Sequence, residues 1–123
     1  MESQKEQAII KLDPKITRKI EQHGDSLLCQ SDMVLFYEGH IPIVVYLLKS
    51  GSIEIGQGRK KRFELNSGEI LGMNQLYQKC PSLFWAEAKK GSELIYIDKS
   101  TLNELVSNGP KMIQKVLSMA LTN

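Results

Sequence analysis

Residues 65–88, LNSGEILGMNQLYQKCPSLFWAEA, decide the fold of this chain. Two short apolar runs, 69–71 and 83–89, have the length of strands and flank a segment at 74–77 long enough for one helical turn. Gly68 and Gly72 punctuate the entry to that turn. Outward from here the same texture continues in both directions. Further strands are expected at 33–37, 44–49, 52–56, 62–65 and 94–98, with Gly51 between the second and third and Gly56-Gln57-Gly58 turning into the fourth. Short strands at this spacing fit a jelly roll or a small sandwich.

Helical texture flanks the β-rich unit. Residues 3–12 and 14–23 form two short segments separated by Asp13-Pro14, where Asp13 can cap and Pro14 suits a first helical turn. Asp98 is a cap for a helix over 100–106 that turns Leu102, Leu105 and Val106 inward. Asn108-Gly109-Pro110 breaks it, and Met112, Ile113, Val116, Leu117, Ala120 and Leu121 then follow at helical spacing. The expected architecture is mainly β: a jelly-roll β-roll over 26–98, helical segments over 1–24, and C-terminal helices over 99–123, in one domain. A chain of 123 residues leaves no room for a second module of ordinary size.

Composition narrows the function classes. Sixteen basic against fourteen acidic side chains give a net charge of +2, too balanced to argue for nucleic acid. Cys29 and Cys80 lie far apart and share no ligand spacing with His23 or His40, so neither a metal centre nor a disulfide framework is supported, and no cofactor is expected. A cupin-type enzyme needs several histidines and a carboxylate around a metal, which two histidines do not supply. A cysteine–histidine dyad would lack an orienting third group. The N-terminus has no apolar run behind Glu2 and Glu6, and no stretch approaches the ~18 apolar residues of a membrane span. A cytoplasmic, non-enzymatic protein is the expectation.

The run from Gly68 through Gly72, followed by a helical turn, a loop and a small-residue strand, resembles the phosphate-binding cassette of cyclic-nucleotide-binding domains. The run FYEGHIPIVVYLLKSGSIEI over 36–55 is similar to the same family in its Glu38-Gly39 turn and Ser50-Gly51 hairpin, as is Tyr96-Ile97-Asp98 before a helix. The resemblance implies a β-roll flanked by helices, of the kind found in the effector domain of the cyclic-AMP receptor protein. It also implies a sensing role in which a C-terminal helix moves, and the family uses that element to join subunits, so a homodimer through it is one expectation. No helix-turn-helix follows, so direct DNA binding is not expected.

Two charged anchors of that cassette are missing. Where the resemblance implies a glutamate for the ribose hydroxyl there is Met73, and where it implies an arginine for the cyclic phosphate there is Ser82 or Leu83. No arginine occurs after Arg62. Each charged contact contributes about 1.5–3 kcal/mol, so losing both weakens binding roughly a hundredfold to ten-thousandfold. Backbone amides at the start of 74–77 or the ammonium of Lys79 could compensate, without the planar fork of arginine. Phe84 and Trp85 replace small residues, and one of the two must face the nucleotide volume because neighbouring strand residues point opposite ways.

The leading expectation is therefore a regulatory module that has lost cyclic-AMP recognition and works through a protein partner. Arg59, Lys60, Lys61 and Arg62, the densest charge run, are either a solvated turn or the docking patch for an acidic surface. The alternative is a sensor of a cyclic mono- or dinucleotide, with a pocket around Gly72, Met73, Asn74, Gln75, Ser82, Leu83 and Trp85, the last able to stack on a base.

Overall fold

The computed structural model describes residues 9–11 and 14–108. Nine strands and three helices follow in the order β1 (Ile9–Lys11), α1 (Pro14–Glu21), β2 (Asp25–Leu28), β3 (Met33–Phe36), β4 (Val44–Ser50), β5 (Ile53–Gln57), β6 (Lys60–Leu65), β7 (Glu69–Leu71), α2 (Met73–Gln78), β8 (Trp85–Ala88), β9 (Glu93–Asp98) and α3 (Lys99–Asn108). The strands form two sheets, β1-β7-β4-β9-β2 and β3-β8-β5-β6, with every pairing antiparallel. The chain crosses repeatedly between the sheets, which gives the mainly β roll expected from the sequence.

The central strands of the five-stranded sheet, β4, β7 and β9, are buried on both faces, and their sequences show it. In β4, Val45 and Leu47 point toward the helices while Leu48 points between the sheets; in β7, Ile70 and Leu71 divide in the same way. A strand buried on both sides loses polar alternation and becomes a continuous apolar run. The helix-side core joins Ile20 of α1, Met73 and Leu76 of α2, and Leu102 and Leu105 of α3 to that sheet. The inter-sheet core is built from Phe36, Leu48, Ile53, Ile55, Phe84 and Leu94 among others.

Two strands depart from the expected pattern. Residues 9–11, expected within a helix, form β1, which pairs Ile9 with Leu71 and Ile10 with Ile70. Consecutive β-branched residues lose rotamer freedom in a helix, and here they complete the hydrogen bonding of β7. Asp25–Leu28, polar at its start, is the edge strand β2 and pairs with β9 from Asp25↔Tyr96 to Leu28↔Glu93. The hairpin between β5 and β6 turns at Gly58-Arg59, so Gly56 and Gln57 are strand residues, and β8 begins at Trp85 rather than at Leu83. The Asp98 cap is present, with the Thr101 N–H donating to Oδ1 at 2.8 Å. This bond lowers the Asp98 pKa. The capping role of Asp13 and the apolar positions from Met112 to Leu121 lie outside the described residues.

Candidate functional site

The cassette begins where Gly68 donates its N–H to the Leu48 carbonyl at 2.8 Å, pinning the β6–β7 turn to β4. Glu69 is buried, and one of its carboxylate oxygens accepts the Asn66 N–H. Its charge thus serves the turn. Gly72 then sits at φ +94°, a left-handed conformation that a side chain rarely adopts, and it caps α2 through backbone alone. The Leu76 N–H reaches the Gly72 carbonyl at 3.0 Å. The helix ends at Lys79, also left-handed, and Cys80 donates to the Gln75 carbonyl at 3.2 Å.

The candidate pocket residues disperse from this frame. Met73 is 1% exposed and packs on the helix side of the five-stranded sheet, not between the sheets. Ser82 is buried and fully engaged. Its N–H donates to the His40 carbonyl at 2.9 Å, and its carbonyl accepts the Gly39 N–H at 2.8 Å. Its hydroxyl donates to the Phe84 carbonyl at 2.6 Å and accepts the Phe84 N–H at 3.1 Å. Leu83 lies on the surface, 57% exposed. Gln75 holds a buried side-chain oxygen with no protein partner. Gly72 and Asn74 lie on the connection into α2 and on α2 itself. Met73, Ser82 and Leu83 thus lie in three different surroundings: the helix-side core, a buried loop and the surface.

Of the two aromatics, Phe84 is the inward one. It is 3% exposed, belongs to the inter-sheet core and meets Phe63 edge to face at 5.5 Å. Trp85 lies on the outer face of the four-stranded sheet and donates its indole N–H to the Gly58 carbonyl at 2.8 Å. Opposite it in register is Gly56, where a Cβ would fall 2.2 Å from the indole. Only glycine leaves room for the ring to lie across β5.

A concavity of about 330 Å³ opens among Phe36, Tyr37, His40, Pro42, Ile43 and Tyr46. Pro42 brings it near Gly72, 3.8 Å from the position of a Cβ there. Its lining contains no lysine or arginine. Burial raises the Tyr46 pKa, with Tyr96 adding to the effect, so the phenol is a neutral hydroxyl. A phosphate placed here would meet no lysine or arginine among the described lining residues.

The basic run occupies the turn and the edge strand β6, where Arg59, Lys60, Lys61 and Arg62 are all exposed. Lys61 pairs with Glu64. Charge along an edge strand blocks pairing with another chain, which is a structural use for this run. Among the described residues no group of three or more histidine, cysteine or acidic side chains could hold a metal, and no helix is long and apolar enough to cross a membrane. Burial raises the Cys29 pKa.

The family model for the cyclic nucleotide-binding domain matches residues 29–108, which contain the roll from β3 onward, the cassette and α3. The chain belongs to the cyclic nucleotide-binding domain family. Solved structures agree on the fold. A protein of a cyclic-GMP-dependent signalling pathway that regulates bacterial phytopathogenesis matches with a TM-score of 0.78 at 19% identity, over 91% of this chain and 93% of that one. The catabolite activator protein of Thermus thermophilus matches with a TM-score of 0.70 at 18% identity, over 90% of this chain. The c-di-GMP-responsive global regulator CLP of Xanthomonas campestris matches with a TM-score of 0.71 at 18% identity, over 89% of this chain. The chain spans about half the length of the last two, 52% and 56%. No curated protein matches its sequence.

Proposed function

We propose that this chain is a non-catalytic regulatory module of the cyclic nucleotide-binding fold that has lost ordinary cyclic-AMP recognition and acts through contacts with a protein partner in the cytoplasm. The observation that carries this reading is Phe84, whose ring fills the space between the sheets while Ser82 beside it is committed to backbone. Met73 supports it, since its side chain is spent on packing α2 against the helix-side core. Arg59, Lys60, Lys61 and Arg62 remain the residues for charge reversal if the partner surface is acidic. Isothermal titration with cyclic AMP tests the loss directly. The expected result is no saturable heat, and a dissociation constant below about 100 μM, some −5.5 kcal/mol, overturns it.

One observation favours the sensor reading. The buried, unpartnered oxygen of Gln75 in α2 is a hydrogen-bond acceptor that a ligand could use, and leaving such a group unpaired costs about 1–3 kcal/mol. A cyclic dinucleotide that binds wild type and not Gln75→Leu would establish that reading.

A further inference from the structure

The outer face of the four-stranded sheet, opposite to the core the family fold encloses, carries a groove of about 440 Å³ lined by Val34, Tyr37, Glu38, Trp85 and Glu87. Its floor is the indole of Trp85, held across Gly56 by the bond to Gly58. The aromatic wall is Tyr37, 57% exposed. Two carboxylates complete the lining. Glu38 commits one oxygen to the Gly58 N–H. Glu87 sits in register with Val34 on one side and Glu54 on the other.

The groove's own lining holds two carboxylates and, among the described residues, no lysine or arginine, while the basic run from Arg59 to Arg62 stands beside it beyond Gly58. Lys89 pairs with Asp32 at 3.0 Å, with Glu87 at 3.1 Å and with Glu54 at 3.6 Å, so a single ammonium serves three carboxylates. These partners raise its pKa and hold it charged, yet the cluster still carries excess negative charge to which Glu38 adds. Glu64, next across the sheet, is already paired with Lys61. A half-buried indole floor beside two lining carboxylates is the surface that receives a flat organic cation: the ring stacks under it and the carboxylates take its N–H groups. Arginine fits better than lysine because its guanidinium is planar and weakly hydrated.

We infer that this groove is a docking site for an arginine side chain presented by a protein partner, with Trp85 as the stacking platform and Glu38 and Glu87 as its acceptors. The inference rests on the reading that the module works through protein contacts and names the surface and the partner chemistry. It places the contact on the outer face of the sheet, adjoining the basic hairpin but distinct from it.

Trp85 is the sole tryptophan of the chain, so its fluorescence reports on the groove alone. The probe is the capped tripeptide acetyl-Leu-Arg-Leu-amide, with its neutral isostere containing citrulline in place of arginine as the control. The expected result is a saturable fluorescence change with the arginine peptide, and binding at least about tenfold weaker for the citrulline peptide. Glu38→Gln and Glu87→Gln should each weaken the arginine peptide, while Glu93→Gln, on β9 of the other sheet, leaves it unchanged. No saturable change up to about 10 mM peptide, near −2.7 kcal/mol, overturns the inference. So does equal binding of the two peptides. Cyclic nucleotides added to the same protein keep the two claims apart, because nucleotide binding breaks the proposed function whatever the groove does. A silent groove in a nucleotide-blind protein removes only the groove.

Discussion

Replacing Phe84 with alanine tests the physical basis of the proposed loss of nucleotide recognition. The ring is 3% exposed, lies in the inter-sheet core and has an edge-to-face partner in Phe63 at 5.5 Å. Truncating a buried phenylalanine costs about 3–5 kcal/mol through lost transfer energy and the cavity left behind. Loss of the aromatic pair, about 0.5–1.5 kcal/mol, pushes the value toward the upper end. For a chain of this size, 1 kcal/mol corresponds to roughly 4 °C in Tm, so Phe84→Ala should lower it by about 12–20 °C. Urea unfolding followed by circular dichroism gives the free energy, and scanning calorimetry gives the Tm. The variant should still fail to bind cyclic AMP, since opening the space adds no cation to it. A cost below about 1 kcal/mol would refute the reasoning, because it would mean that Phe84 does not fill the space between the sheets.

Other consequences are more local. Ser92 is 1% exposed and its hydroxyl both accepts the Ser52 N–H at 2.9 Å and donates to the Ser52 carbonyl at 3.0 Å. Ser92→Ala should cost about 1–3 kcal/mol in urea unfolding, because it strands two backbone groups. Asp98 has a lowered pKa in the fold through its bond to the Thr101 N–H, so its contribution is complete above the ordinary aspartate value of 3.8 and is lost as pH falls through the lowered one. Asp98→Asn keeps a capping side chain without the titration and should flatten the acid limb of stability measured from about pH 5 to about pH 2. Asp32, lowered chiefly by the Lys90 backbone N–H, accounts for part of the slope that remains. Threonine at Lys60, Lys61 and Arg62 should leave the chain folded but increase its self-association in light scattering, because it removes the charges from edge strand β6.

Central elements were legible in the sequence and edge elements were not. The runs that became β4 and β9 are apolar enough to identify alone, since these central strands are covered on both faces, and Asp98 marks the start of α3 in plain view. Edge strands β1 and β2 take their hydrogen bonds from partners some sixty to seventy positions away, Ile9 from Leu71 and Asp25 from Tyr96, so local pattern says little about them. Within the cassette, the order of glycines and apolar residues identified the family, whereas the direction of each side chain depended on register. Alternation alone required one of Phe84 and Trp85 to point inward; pairing of β8 with β3 and β5 puts Phe84 with Ala86 and Ala88 and sends Trp85 out with Glu87. The outer groove left one sequence signal, a tryptophan alternating with glutamate on a strand, and its meaning depends on Gly56 and Gly58 arriving beneath the ring.

Thermal unfolding of the pure protein against millimolar cyclic AMP, cyclic GMP and cyclic dinucleotides tests the central claim most directly. A ligand at a hundred times its dissociation constant adds about 2.7 kcal/mol to the folded state, roughly 10 °C in a chain of this length. The account predicts that none of these nucleotides moves the transition. A reproducible shift of several degrees with any one of them would contradict it and make this domain a nucleotide sensor with a rebuilt pocket.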